Sequence, residues 1–163
     1  MVVAGCEEDA NYAEFEVRSM SFLDGETVPL RHTCDGGHIS PPLIFAGYPE
    51  ETESFAIIMD VPEESTAPFV HWLMWGISSA SNFLHQDQNL ETRAGAEQGT
   101  NSAGTLGYYG PCPVRGSSHL FTIRVYALDK NISLAEGSGR SQLERKMGGH
   151  ILGLGKITGR YAR

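Results

Sequence analysis

The stretch that most constrains this chain runs from Gly107 to Asp129, GYYGPCPVRGSSHLFTIRVYALD. Its first half, Gly107 to Gly116, holds three glycines and two prolines, so the backbone is pinned and in places carries no side chain. Its second half alternates. His119, Phe121, Ile123, Val125 and Ala127 fall on one face of an extended chain, and Leu120, Thr122, Arg124 and Tyr126 on the other. A strand with one apolar face therefore opens with a histidine and follows a rigid loop. That arrangement sets a polar group at the mouth of an apolar pocket. The same residues also suit a plain core strand whose histidine is satisfied by a backbone carbonyl.

The rest of the chain reads as short strands and ordered loops. Phe15 and Val17 alternate with Glu14, Glu16 and Arg18, a first strand half facing water. Residues 1–12 read as a flexible tail and 13–163 as one domain. Arg31 to Pro42 contains two glycines and two prolines and reads as a long loop. Ser54 to Met59 is a continuous apolar run, a buried strand. Phe69 to Ile77 is apolar on both faces, a central strand, with Phe69, His71, Leu73 and Trp75 expected on one side. Residues 78–106 show no period and are too long for an idle loop, so they carry function or pack across a sheet end. Ser141-Gln-Leu-Glu144 fits a capping box, and Leu143, Met147 and Ile151 lie four apart. That predicts one short helix stopped by Gly148-Gly149. Ile157 to Ala162 reads as a last strand. The 19 glycines and 8 prolines favour a mainly β fold, and two antiparallel sheets packed as a β-sandwich are the economical solution.

Charge and cysteine usage narrow the function. The 12 basic and 20 acidic residues give a net charge of −8 with no basic stripe, which argues against nucleic acid. No run of 18 apolar residues exists to span a membrane. Cys6, Cys34 and Cys112 show no zinc-type spacing. His32, Cys34, Asp35 and His38 could be imagined as a metal cluster, but Asp35-Gly36 is better read as a turn, so neither metal nor cofactor is expected. A Cys34–Cys112 bridge is open if the two loops meet. Val3-Ala4-Gly5-Cys6 is similar to the end of a lipoprotein signal, although little precedes it. The expected location is cytoplasmic, with a periplasmic or lipid-anchored one if a hydrophobic segment precedes this start. Adjacent Ser118 and His119 invite a hydrolase reading, but neighbours in a strand point to opposite faces and no GxSxG elbow is present.

Several pieces in order resemble one family: Cys34-Asp-Gly with Ser40-Pro-Pro-Leu43, the step from Pro62 to His71-Trp72, Gly110-Pro-Cys-Pro113, His119 with Tyr126-Ala-Leu-Asp129, and Leu143, Met147 and His150-Ile-Leu152. They are similar to the phosphatidylethanolamine-binding, Raf kinase inhibitor-like family in its short prokaryotic branch, from about Phe15 to Arg163. The resemblance implies a Greek-key β-sandwich with a small anion pocket at one end. It implies pocket residues at Pro62, Glu63, His71, Gly110, Pro111, Cys112, Pro113, His119 and Phe121, with Asp60 adjacent. It also implies a non-enzymatic protein that takes a small anionic or phosphorylated ligand, a protein partner such as a kinase or protease inhibited through surface loops, and a homodimer. This chain departs from the pattern. Val61 and Glu63 stand where the family has aspartates, Val114 replaces a proline, and Leu120-Phe121 replaces an Arg-Tyr pair. The pocket should accordingly be more apolar.

Overall fold

The computed structural model describes residues 11–62, 68–90 and 92–163. In chain order the strands are β1 (Ala13–Arg18), β2 (Leu43–Ala46), β3 (Ser54–Asp60), β4 (Val70–Ser78), β5 (Phe83–Leu84), β6 (Glu97–Gln98), β7 (Ser118–Leu128) and β8 (Ile151–Ala162). One helix, α1 (Arg140–Met147), lies between β7 and β8. The strands form one curled eight-stranded sheet in the order β5-β2-β1-β8-β7-β3-β4-β6. This corrects the expectation of two antiparallel sheets. The long β7 and β8 stay paired from Ser118↔Ala162 to Leu128↔Ile151, so the ladder runs on without a break that would divide it. The sheet is also mixed, because β1 pairs with β8 in parallel through Phe15↔Gly155. Gly155 is needed there, since a Cβ would come within 2.7 Å of the Phe15 carbonyl oxygen.

The core follows from alternation along the central strands. Phe55, Ile57 and Met59 of β3 point to one face and join Phe45, Trp72, Phe121, Ile123 and Val125. Ala56 and Ile58 point to the other and join Leu73, Trp75 and the Leu143/Met147 stripe of α1. The helix starts earlier than its sequence suggests. Gly139 caps it, and the Gln142 side chain accepts the Gly139 N–H at 2.7 Å, so Ser141 is already helical. Gly149, with φ +79°, ends it. Ile151 belongs to β8.

One correction bears on the site. Pairing between β3 and β4 passes from Met59↔Trp72 to Asp60↔Val70, which leaves His71 as an extra, unopposed residue on β4. Such a bulge turns a side chain out of the alternation. His71 therefore packs its ring against Phe121 on the first face, while Leu73 and Trp75 pack under the helix on the second. The expectation that His71 shares a face with Leu73 and Trp75 fails for this reason.

Asp60, the last residue of β3, is buried on the helix face. Its two oxygens accept from Arg124 of β7 and Arg140 of α1, each at 2.7 Å. Arg140 continues to Glu144 at 2.6 Å. Burial alone would lower the Arg140 pKa, but its hydrogen bonds to Glu144 and Asp60 raise it on balance. Asp60 thus ties the helix to the sheet. Replacing it by asparagine takes the counter-charge from the partly buried Arg124 guanidinium and leaves Arg140 with Glu144 alone. Asp60→Asn should lower unfolding stability by about 2–3 kcal/mol, read as a shift of the urea midpoint.

Candidate anion site between His71 and His119

The site is assembled from three directions. His71 comes from the bulge in β4. Its Nδ1 donates to the Tyr109 carbonyl oxygen at 2.8 Å, and the Tyr109 N–H returns a bond to the His71 carbonyl at 2.8 Å. A carbonyl has no proton to give, so Nδ1 carries one and the ring is held in a fixed orientation. His119, the second residue of β7, sets its ring edge-on to Phe121 with centroids 6.3 Å apart. Phe121 in turn stands edge-on to His71 at 5.2 Å. The two imidazoles thus flank one aromatic ring and line one cavity of about 270 Å³. Val61 and Phe69 complete one wall, and Tyr109, Cys112, Pro113 and Val114 the other.

That second wall is fixed by the close meeting of two loops. A Cβ at Gly110 would overlap the His32 carbonyl oxygen and lie 2.7 Å from the Thr33 Cα, so only glycine fits. The Gly110 N–H donates to His38 Nδ1 at 3.0 Å. The Pro111 carbonyl accepts the Cys34 N–H at 3.1 Å. Cys34 and Cys112 form a disulfide with Cα atoms 5.4 Å apart, so the loops do meet. Arg163 reaches the same wall, donating to Asp35 at 2.8 and 2.9 Å and to the Pro113 carbonyl at 3.4 Å. Hydrogen bonds from Tyr161 and Arg163 hold the Asp35 carboxyl below its usual range. Behind the wall, the Tyr108 hydroxyl donates to the His32 carbonyl, and its burial pushes the phenol pKa up.

Of the residues named from the sequence, His71, Cys112, Pro113, His119 and Phe121 line one cavity. Gly110 and Pro111 support it from behind, facing the 32–34 backbone. Pro62 is exposed beside it and Glu63 lies outside the described residues. Asp60 does not reach it. One residue before Val61, it faces the opposite side of the sheet, where the arginines hold it. Tyr109 and Phe69 line the cavity without having been named as site residues, and His38 and Arg163 brace its wall from outside the lining. Tyr109 lies inside the glycine-rich loop and is the one of these that its position could have suggested. His32, Cys34, Asp35 and His38 hold no common ligand geometry, and no metal-binding group of three occurs among the described residues. The described residues of 78–106 supply the edge strands β5 and β6 and the loops between them. Gln98 accepts the Trp72 indole N–H at 2.7 Å, and Asn89 brackets the Tyr108 backbone at 2.7 and 2.8 Å.

Comparison with known proteins shows the family of this chain. The sequence profile of the phosphatidylethanolamine-binding protein family matches residues 18–162. The chain belongs to this family. Among its relatives, a UPF0098 protein of Methanothermobacter thermautotrophicus is 39% identical over 149 residues, covering 90% of this chain and 98% of its own. A UPF0098 protein of Aquifex aeolicus is 40% identical over 157 residues, covering 94% and 92%. The solved structure of a phosphatidylethanolamine-binding protein homolog from Chlamydia trachomatis superposes with a TM-score of 0.82 at 31% identity, over 94% of this chain and 99% of that one. Escherichia coli YbcL, described as a new member of the mammalian family, gives 0.85 at 28% identity over 93% and 99%.

Two stability predictions follow from the wall of this family member. The disulfide closes a separation of 78 residues, so Cys112→Ala should cost about 3–4 kcal/mol. Reductant should cost the unmutated protein a similar amount and leave the variant unchanged in denaturant melts. The second concerns His32, which is fully buried, with Nδ1 donating to the Ile39 carbonyl at 2.7 Å and Nε2 without a partner among the described residues. Burial holds its pKa below the ordinary value. Below about pH 6.5 the unfolded chain binds a proton that the folded one refuses, so stability is full above that pH and falls beneath it. His32→Gln should flatten the fall between about pH 6.5 and 5, measured as urea midpoints across pH, even though it lowers the plateau.

Proposed function

We propose that this protein is a non-enzymatic binding module that takes a small anion, a phosphate or carboxylate head group, between His71 and His119. The observation that carries the reading is the convergence of these two imidazoles, from separate strands, on one cavity. The bond from His71 Nδ1 to the Tyr109 carbonyl fixes the orientation in which this ring faces the cavity. Each ring can then donate a charge-assisted hydrogen bond without an arginine or lysine being desolvated in the cavity. Ser118, the neighbouring hydroxyl, is exposed beside a half-buried His119, an arrangement that supports binding rather than nucleophilic attack.

Titrating inorganic phosphate while following the histidine ring resonances tests this. Millimolar phosphate should shift the His71 and His119 signals together, and His71→Ala or His119→Ala should weaken binding about tenfold or more. A response confined to one ring, or none at all, would sink the proposal.

A further inference from the structure

The loop that joins β7 to α1 carries the one Asn-X-Ser/Thr sequence of this chain. Of the five asparagines, only Asn131 has a hydroxyl residue two places on, in Asn131-Ile132-Ser133. Three-residue patterns recur by chance, so the surroundings of this one decide its meaning. The segment has no regular secondary structure. Ile132 is 5% exposed and sits in the core beneath α1. The chain is fixed on either side of it. The Lys130 carbonyl accepts from the Ser54 hydroxyl at 2.7 Å, and the Leu134 carbonyl accepts from the Trp75 indole N–H at 3.1 Å. Asn131 and Ser133 flank the buried Ile132, and both are exposed. A buried residue between two exposed ones is the alternation of an extended segment, in which residues two apart share a face. The side-chain amide and the hydroxyl are thus offered to solvent together. Gly76 of β4 sets no side chain against that amide; a Cβ there would stand 3.5 Å from Asn131 Oδ1.

We propose that Asn131 is an N-glycosylation site, with Ser133 as the hydroxyl read beside it. A second observation points the same way. Cys34 and Cys112 are joined in a disulfide. Disulfides persist in oxidising compartments outside the cytosol, and chains that enter those compartments are the ones that meet asparagine-linked glycan transfer. The donor is an oligosaccharide carried on a lipid phosphate. The Asn131 amide nitrogen forms a bond to the anomeric carbon of the first sugar, and the bond from that carbon to the phosphate oxygen breaks. The lipid phosphate leaves with the electron pair, and the amide gives up one proton. The loop follows the far end of β7 from His119. At roughly 3.3 Å per residue, Ser118–Leu128 sets about 30 Å between its two ends. A glycan on Asn131 therefore covers the sheet end beside α1 and leaves the cavity at His119 open.

Mass spectrometry of the protein purified from its native cells tests this, on the tryptic peptide that ends at Arg140. That peptide should carry a glycan, and fragmentation should leave the first sugar on Asn131. Ser133→Ala, expressed in the same cells, keeps Asn131 and removes only an exposed hydroxyl; it should abolish the added mass. Ser133→Thr restores a hydroxyl and should retain it, and Asn131→Gln should give the bare peptide. An unmodified Asn131 in the native protein, or a glycan that persists in Ser133→Ala, overturns the proposal.

Discussion

The meeting of the Gly110 backbone with the 32–34 backbone is the contact on which the rest of the site depends. Two main chains approach so closely that no side chain fits between them. Everything that orders the cavity wall is a consequence of that approach. The Cys34–Cys112 bridge, the Cys34 N–H to Pro111 bond and the His38 bond to Gly110 all close across it. Asn89 and the Tyr108 hydroxyl hold the same loop from behind. The loop so fixed carries Tyr109, and the Tyr109 carbonyl decides which way the His71 ring faces. The wall of the proposed site and the stability of the fold therefore draw on the same contacts.

The bulge in β4 is the second constraint. Without the extra residue, His71 would follow Leu73 and Trp75 to the helix face and be sealed there. With it, a histidine is turned into the cavity while Trp72 and Leu73 keep their places in the two cores. The end of β3 shows the same economy. Asp60 and Val61 are neighbours, yet one is held by two arginines on the helix face and the other lies in the cavity wall.

How much of this could be read from the residues depends on the range of the interaction. The alternation from His119 to Ala127 exposed β7 and its buried face, because period two is a local property. The rigid loop before it was visible in its glycines and prolines. The helix showed itself through Leu143 and Met147, although its cap did not, since a glycine cap leaves the signal to Gln142 alone. The parallel pairing of β1 with β8 joins residues more than a hundred positions apart and leaves no mark in either strand, so one continuous sheet was misread as two. The bulge at His71 was hidden for another reason. A single extra residue in a uniformly apolar strand does not disturb a pattern that has no polar face to disturb. The pairing of Cys34 with Cys112 likewise needed the loops to be seen together.

The net charge of −8 sets a last condition on how such a site can work. At long range the field of the molecule repels an anion, and solution ions screen that repulsion only beyond about 8 Å. Attraction must therefore come from short contacts inside the cavity, where apolar walls lower the local dielectric and strengthen each hydrogen bond. Histidine suits that requirement. Its ring N–H groups can donate directly at hydrogen-bond distance, so the proposed site needs no arginine or lysine in the cavity lining. The apolar walls at Val61, Phe69 and Phe121 therefore strengthen the polar contacts of the site as well as shaping it.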